Sequence, residues 1–174
     1  ILPWDDSLVS FPMESPRNFD LVTIGNIGGR EDFFIKYPFV EIKNTKTLHP
    51  DEHRKLRNEH MFLVAPWGRY YNGMVAKSFE AMSCRRVAFQ YLNEDTMFKS
   101  SAYFEDMVDI VYFESPEELQ DKYDYLKLNY NEAKNIADSG YHKFIHNHTQ
   151  EHRANFIFQS MIDVLNKRDM LVAK

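Results

Sequence analysis

Residues 19 to 36 read FDLVTIGNIGGREDFFIK, and they set the architecture that we expect for the whole chain. The first part is a short run of β-branched and apolar residues that ends at Gly25, which is typical of a buried strand. A glycine-bearing loop follows over residues 26–29, and the segment that starts at Arg30 can form a helix. The sequence therefore predicts a strand, a tight turn and a helix, which is the opening of an α/β unit.

The same alternation continues along the chain. Apolar strands are predicted over residues 39–43, 61–65, 86–90 and 109–113, with helices over residues 50–60 and 74–84. Because a parallel crossover needs a connection long enough to hold a helix, this order predicts a mostly parallel sheet with helices on both faces. The expected fold class is α/β, with a Rossmann-like sheet.

Two helices are predicted after the last strand. The first begins at a capping box formed by Ser115 and Glu118 and ends by Ser139, with Gly140 as its C-terminal glycine. The second closes the chain, and His148 is expected to help cap it. The apolar positions of this closing helix share one face and comprise Ala154, Ile157, Phe158, Met161, Ile162 and Leu165.

Length and composition indicate one compact domain. A chain of 174 residues that is 44% hydrophobic can fold around a single core, burying roughly 70% of its unfolded surface. Residues 1–19 contain three prolines among serines and acidic residues and show no periodicity. We therefore expect an interdomain linker-like segment over residues 1–19 and the domain itself over residues 20–174.

Charge and cysteine content exclude several classes of protein. The net charge is −5 and the 21 basic residues are scattered, so nothing indicates a surface for nucleic acid or an anionic membrane. Cys84 is the only cysteine, which excludes internal disulfides and cysteine-built zinc sites and favours a reducing compartment. Neither a membrane span nor a signal peptide is visible, so we expect a cytoplasmic protein.

The first candidate site is the loop after the first strand. In open α/β sheets ligands bind beyond the carboxyl ends of the strands. Small residues at Gly25, Asn26 and Gly28 would let the backbone approach a diphosphate, and Arg30 would supply a fork-shaped cationic donor. The spacing is not the dinucleotide fingerprint GxGxxG. A plain tight turn beside an exposed arginine therefore remains an equal alternative.

The second candidate site is the loop that leads through Asn72 and Gly73 into a helix, whose N-terminus is suited to bind an anion. Lys77 and Glu80 lie three residues apart on one face of that helix. The alternative is a solvent-exposed ion pair, which contributes roughly 0.2–0.5 kcal/mol. A lysine in the first turns opposes the helix dipole, and a bound phosphate would remove that conflict. Glu80 could then accept hydrogen bonds from two ribose hydroxyls.

Two further features have alternative explanations. Trp67 lies in the second loop and either packs in the core or stacks on a base or sugar. The histidines His142, His146, His148 and His152 include a pair at helical spacing, but no HExxH pattern and no acidic partner accompany them. No metal site is therefore predicted.

Several segments carry a resemblance to a known family. Residues 77–84 (KSFEAMSC) resemble the signature R-x-F-E-A-x-A-C-G of family 1-like glycosyltransferases related to the spore-maturation proteins of the CgeB type. Similar matches to this family occur at residues 2–5 (LPWD), 20–26 (DLVTIGN), 111–119 (VYFESPEEL) and 136–140 (IADSG), and at His148, Thr149 and Arg153. The resemblance covers nearly the whole chain, in the order expected of the C-terminal half of a GT-B enzyme.

The resemblance implies the donor-binding half of a metal-independent hexosyl- or deoxyhexosyltransferase. A nucleotide-diphosphate sugar is the donor, a glycan or other molecule is the acceptor, and no cofactor is required. Glu80 would bind the ribose and Lys77 would lie near the diphosphate, while an N-terminal half would supply the acceptor side; the catalytic residues stay unknown. With the two loops, the donor-binding set comprises Gly25, Asn26, Gly28, Arg30, Trp67, Asn72, Gly73, Met74, Lys77 and Glu80.

Three departures from the family pattern bear on the site and on the end of its helix. Lys77 replaces an arginine, Arg85 replaces the glycine after the cysteine, and Asn72 stands where relatives with two glutamates have the first. The missing acid leaves a catalytically inactive nucleotide-sugar-binding or interaction module as the alternative. A response-regulator-like domain is disfavoured because adjacent acids are missing after the first strand, and a hydrolase because no GxSxG elbow is present.

Overall fold

The computed structural model describes residues 16–25, 30–43, 48–66, 76–92 and 103–172, with Pro50 and residues 167–172 described by their backbone alone. Most of the predicted linker-like segment lies outside these ranges. The first described strand begins at Asn18.

The core of the fold is a five-stranded parallel sheet. The strands are β1 Asn18–Ile24, β2 Glu41–Lys43, β3 His60–Ala65, β4 Val87–Tyr91 and β5 Val111–Phe113. They lie in the order β2-β1-β3-β4-β5. Each predicted strand is present, with ends that differ by one or two residues from the prediction, and a parallel, Rossmann-like α/β fold is therefore confirmed.

Helices connect the strands and cover both faces of the sheet. The described helices are α1 Glu31–Lys36, α2 Pro50–Glu59, α3 Ala76–Ser83, α4 Pro116–Leu128, α5 Tyr130–Asn147 and α6 Gln150–Val172. The helix α2 begins with a capping box in which His49 and Glu52 exchange side-chain and backbone hydrogen bonds. The Ser115 hydroxyl accepts from the backbone N–H of Glu118 at 3.1 Å at the start of α4.

Two apolar cores lie on opposite faces of the sheet. All six residues of β3 are buried, which is expected of a central parallel strand. One core joins the sheet to α1, α4 and α5 through Phe33, Leu119 and Ile136. The other joins it to α3 and the end of α5 through Phe79, Met82 and Phe144. Each such side chain contributes roughly 1.5–3 kcal/mol when fully buried.

The prediction that one helix ends by Ser139 is wrong in two respects. The helix is interrupted at Asn129, and its second part continues through Gly140 to Asn147. Gly140 is buried, and a Cβ atom there would collide with the backbone carbonyl oxygen of Asp109. The glycine therefore serves close helix packing rather than helix termination.

The closing helix forms as predicted, but its apolar face is not buried among the described residues. Phe158 is 65% exposed, Met161 60% and Leu165 48%. The predicted capping role of His148 also needs correction, because the Thr149 hydroxyl accepts from the backbone N–H of His152 at 3.4 Å. The His148 ring instead packs against Phe104, with the ring centroids 4.9 Å apart. No helix in the described part of the chain is both long enough and apolar enough to cross a membrane.

Candidate functional site

The topology places a crevice between β1 and β3. From β1 the chain crosses to β2 on one side of the sheet, whereas β3, β4 and β5 follow on the other side. The connections thus reverse direction between β1 and β3. Ligands in such sheets bind at this point, beyond the carboxyl ends of the strands.

The start of α3 and the end of β1 meet at this crevice. The Lys77 ammonium, in the first turn of α3, donates a hydrogen bond to the backbone carbonyl of Ile24, the last residue of β1. Gly25 follows with φ +131°, a conformation that side chains rarely adopt. A Cβ atom at Gly25 would also collide with the Lys77 ammonium. The structure thus brings together two residues that the sequence placed in different loops.

Burial is the largest influence on the pKa of Lys77, followed by the charges of Glu80, Arg30 and Arg57. Burial lowers the pKa of its ammonium from the ordinary 10.5; Glu80 acts in the opposite direction, and the charges of Arg30 and Arg57 lower this pKa further. Three cationic side chains therefore act around one carboxylate. Such an excess of positive charge suits an anionic ligand.

Glu80 is paired with a residue that the sequence did not indicate. Arg57, in the last turn of α2, donates from Nη1 to Oε2 of Glu80 at 3.0 Å. The Arg57 side chain is 13% exposed and that of Glu80 is 24% exposed, so the pair is largely buried. The two residues are 23 positions apart, and no local pattern links them. Sequence reasoning therefore missed Arg57.

Buried contacts hold α3 against the sheet. The Ser78 hydroxyl donates to Oε1 of Gln90, near the carboxyl end of β4, at 2.7 Å. At the other end of α3, Arg85 adopts φ 59°, and the N–H of Arg86 bonds the carbonyl of Ala81 at 3.0 Å. This is the left-handed helix terminus for which glycine is favoured. It explains why the family pattern has a glycine at the position that Arg85 occupies in this chain.

The remaining predicted site residues lie outside the described ranges. They are Asn26, Gly28, Trp67, Asn72, Gly73 and Met74. The predictions on them stand as predictions. Of the predicted set, the structure describes Gly25, Arg30, Lys77 and Glu80.

A second charged region lies beside β5, at a cavity of about 530 Å³. Lys122 Nζ donates at 2.8 Å to Asp106, to Glu118 and to the backbone carbonyl of Tyr112. Burial alone would lower the pKa of Lys122, but its hydrogen bonds to Asp106 and Glu118 raise it. The charged groups in this part of the cavity wall thus bind one another and the backbone.

Asp109 extends this second region. It is 6% exposed, and its carboxylate accepts from the Ser139 hydroxyl at 2.6 Å, from the Lys143 ammonium and from the backbone N–H of Glu105 at 3.1 Å. Burial alone would raise the pKa of Asp109, but these hydrogen bonds lower it below the ordinary 3.8. We refer to Asp106, Asp109, Glu118, Lys122 and Lys143 as the β5 network.

The described residues contain no group of three or more histidine, cysteine, aspartate or glutamate side chains arranged to hold a metal ion. The His142 and His146 rings lie parallel, with their centroids 6.4 Å apart. They have no such group around them in the described part of the chain. Whether the chain acts without a metal remains a prediction.

The sequence matches a family of glycosyl transferase-like proteins over residues 13–159. The match covers most of the chain, and the chain therefore belongs to this family. The fold that it shares with solved structures is that of the C-terminal domain of GT-B glycosyltransferases. No curated protein sequence matches the chain.

Three solved structures illustrate the shared fold. The C-terminal domain of LpcC, a group 1 glycosyl transferase from Francisella tularensis, superposes with a TM-score of 0.61 at 15% identity over 83% of this chain and 98% of that domain. A Rickettsia africae glycosyltransferase has a TM-score of 0.62 at 13% identity over 85% of this chain. TarM has a TM-score of 0.58 at 15% identity over 84% of this chain. The superposition covers only 40% of the Rickettsia enzyme and 28% of TarM.

Proposed function

We propose that this chain is the donor-binding half of a glycosyltransferase and that the crevice between β1 and β3 holds the nucleoside diphosphate of a nucleotide sugar. The observation that carries the proposal is the set of cations at the crevice. Lys77, Arg30 and Arg57 act there around the carboxylate of Glu80, at the carboxyl end of β1. We call Gly25, Arg30, Arg57, Lys77 and Glu80 the donor crevice.

The state of Lys77 supports a role for it with phosphate. Its ammonium is partly buried, and it donates to a neutral backbone carbonyl rather than to a carboxylate. A diphosphate would supply the missing negative charge and relieve the electrostatic cost of burying the cation. In the transfer reaction, negative charge develops on the leaving diphosphate, and fixed cations at Lys77 and Arg30 would stabilise it.

Glu80 is suited to the neighbouring part of the ligand. It lies one turn after Lys77 in α3, and 24% of its side chain is exposed, so a ligand can reach it. An ionised carboxylate only accepts hydrogen bonds, which suits the two hydroxyls of a ribose. The order along α3 thus matches a ligand with a diphosphate followed by a ribose.

The acceptor side is proposed to come from an N-terminal half. The chain spans less than half of the Rickettsia enzyme and of TarM. The exposed apolar face of α6, with Phe158, Met161 and Leu165, is a surface that this half would cover. A glycan or other acceptor and any catalytic base would then lie across the cleft, in a cytoplasmic enzyme.

Calorimetric titration of the chain with UDP, GDP, ADP and TDP, each with and without magnesium, tests the proposal. A Staphylococcus aureus TarM structure, with a TM-score of 0.51 at 12% identity, contains UDP, so UDP is the first ligand to measure. We expect millimolar or tighter binding of one nucleotide that magnesium does not change. If none binds, the donor-site proposal for this chain fails.

Two substitutions assign the parts of the ligand. Lys77→Ala should weaken binding of the diphosphate by roughly tenfold while leaving that of the nucleoside unchanged, because only the phosphate contact is lost. Glu80→Gln should weaken binding of both. Glu118→Gln in the β5 network is the matched control for Glu80 and should leave both unchanged. Equal effects of Glu80→Gln and Glu118→Gln would remove Glu80 from the site.

The alternative is a nucleotide-sugar-binding module without transfer activity. The observation in its favour is Asn72 in place of a glutamate. Addition of a glycosyltransferase N-terminal half distinguishes the two. An enzyme should then hydrolyse or transfer the sugar of the bound donor, whereas a binding module should bind it without turnover.

A further inference from the structure

We infer that Arg57 is a positioning residue for the proposed donor site, which fixes the Glu80 carboxylate so that it can accept hydrogen bonds from the ribose hydroxyls. The inference rests on the proposed function and names a residue of α2 that lies outside both predicted loops. Its basis is the largely buried contact of 3.0 Å between Arg57 Nη1 and Glu80 Oε2.

The geometry leaves Glu80 able to bind a ligand. A carboxylate offers about four lone-pair sites, and the hydrogen bond from Arg57 uses one of them. A glutamate side chain that is free to rotate loses conformational entropy when a ligand fixes it. Because Arg57 already holds the carboxylate in the folded chain, that entropy is lost on folding rather than on binding.

Arg57 also keeps Glu80 apart from Lys77. Opposite charges three residues apart on a helix are neighbours and tend to pair. In the described structure, however, Lys77 donates to the Ile24 carbonyl and Glu80 accepts from Arg57. Without Arg57, Glu80 could swing to Lys77 and neutralise the cation intended for the diphosphate. Arg57 would thus leave the Glu80 carboxylate available to the ribose and the Lys77 ammonium available to the diphosphate.

The test compares how well the chain distinguishes UDP from 2′,3′-dideoxy-UDP. If Glu80 accepts from the ribose hydroxyls, the unaltered chain should bind UDP roughly tenfold more tightly than the dideoxy analogue. In Arg57→Met this ratio should fall to about one or two, since the carboxylate is no longer held. Arg54→Met is the matched control, because Arg54 lies one turn earlier in α2 and pairs with exposed Asp51. It should keep the full ratio.

The ratio separates positioning from a general effect of charge. Loss of a cation alone would weaken UDP and dideoxy-UDP equally and leave their ratio unchanged, which would overturn the inference. Arg57→Lys keeps the charge without the planar fork and should restore part of the ratio. Urea unfolding of each variant verifies folding, and Arg57→Gln replaces Arg57→Met if the latter does not fold.

The outcomes also distinguish this inference from the proposed function. If the unaltered chain prefers UDP over its dideoxy analogue and Arg57→Met retains that preference, the donor site stands and the role of Arg57 is wrong. If the unaltered chain binds GDP, ADP or TDP instead of UDP, the same comparison is made with that nucleotide and its dideoxy analogue. If it binds none of the four, the donor site itself fails, and the inference fails with it.

Discussion

The donor crevice lies at the carboxyl end of β1 and the β5 network surrounds β5, and the two regions differ in how their charged groups are paired. In the β5 network three carboxylates meet two lysines, and hydrogen bonds connect these groups to each other and to the backbone. In the donor crevice three cations act on the side where Glu80 is the described carboxylate. A network whose charged groups bind one another stabilises the fold by itself, whereas an excess of one charge suits a ligand of the opposite charge.

This difference gives opposite expectations for substitutions. Removal of the buried Asp109 from the β5 network leaves its partners without hydrogen bonds and costs stability. Removal of the Lys77 ammonium from the donor crevice should weaken ligand binding but not the fold. The predictions below test this contrast through the free energy of unfolding.

Asp109→Ala should produce the largest effect. The substitution removes the acceptor of Ser139, Lys143 and the backbone N–H of Glu105 from a site that is 6% exposed. We expect a loss of about 3 kcal/mol in the free energy of unfolding, measured with urea, and unchanged nucleotide affinity. Asp163→Ala on the exposed face of α6 is the control and should change stability by less than about 0.5 kcal/mol. A similar small loss for Asp109→Ala would show that the network is not structural.

Gly140→Ala should have the next largest effect. In an ordinary helix interior alanine stabilises relative to glycine by about 0.5–1 kcal/mol. Here the added Cβ would meet the Asp109 carbonyl, so α5 and the turn that carries Asp109 must move apart. We expect a net loss of about 2 kcal/mol in urea unfolding. A gain in stability would mean that the close approach at Asp109 is not maintained in solution.

The strands and Gly140 show what the sequence could and could not predict about the fold. Strands such as β3 and β4 were predictable because nearly all of their residues are apolar, which indicates burial on both faces. Local sequence predicts a helix end at Gly140, because glycine often follows the last turn of a helix. Its actual role depends on a carbonyl 31 positions earlier in the chain, which no local pattern contains.

In the candidate site, too, some features were predictable from the sequence and others were not. Lys77 and Glu80 were predictable because they share one helix face, and the helix starts where ligands of α/β sheets bind. Two contacts of these residues were not predictable, because each joins segments that are distant in the sequence. They are the contact of Lys77 with the end of β1 and that of Glu80 with Arg57. The exposure of the apolar face of α6 was likewise not predictable, since periodicity reports an apolar face but not what covers it.

Acid should weaken the β5 network. The pKa of Asp109 is lower in the folded chain than its ordinary value of 3.8, so its contribution to stability is present above that value and is lost as pH falls through the folded pKa. The stability difference between the unaltered chain and Asp109→Asn should therefore be constant near neutral pH. As pH falls below the ordinary value of 3.8, it should shrink. Urea unfolding at a series of pH values measures this stability difference. A difference that does not change with pH would contradict the claim that hydrogen bonds stabilise the ionised Asp109 carboxylate.

Lys77→Met should have the smallest effect on unfolding, and one of opposite sign. The folded chain lowers the pKa of Lys77, so it disfavours the ammonium relative to water, and a neutral side chain of similar length removes that cost. We expect a gain of about 0.5–1 kcal/mol in urea unfolding near neutral pH. Because deprotonation also relieves the cost, the gain should diminish as pH rises through the folded pKa of Lys77.

The matched control is Lys122→Met in the β5 network. The folded chain raises the pKa of Lys122, so the ammonium is favoured there and its removal should cost stability. Opposite signs for the two lysines would establish that the donor crevice retains an unfavourable charge for the sake of a ligand. A loss of stability in Lys77→Met comparable to that in Lys122→Met would instead make Lys77 a structural residue that serves the contact between α3 and β1.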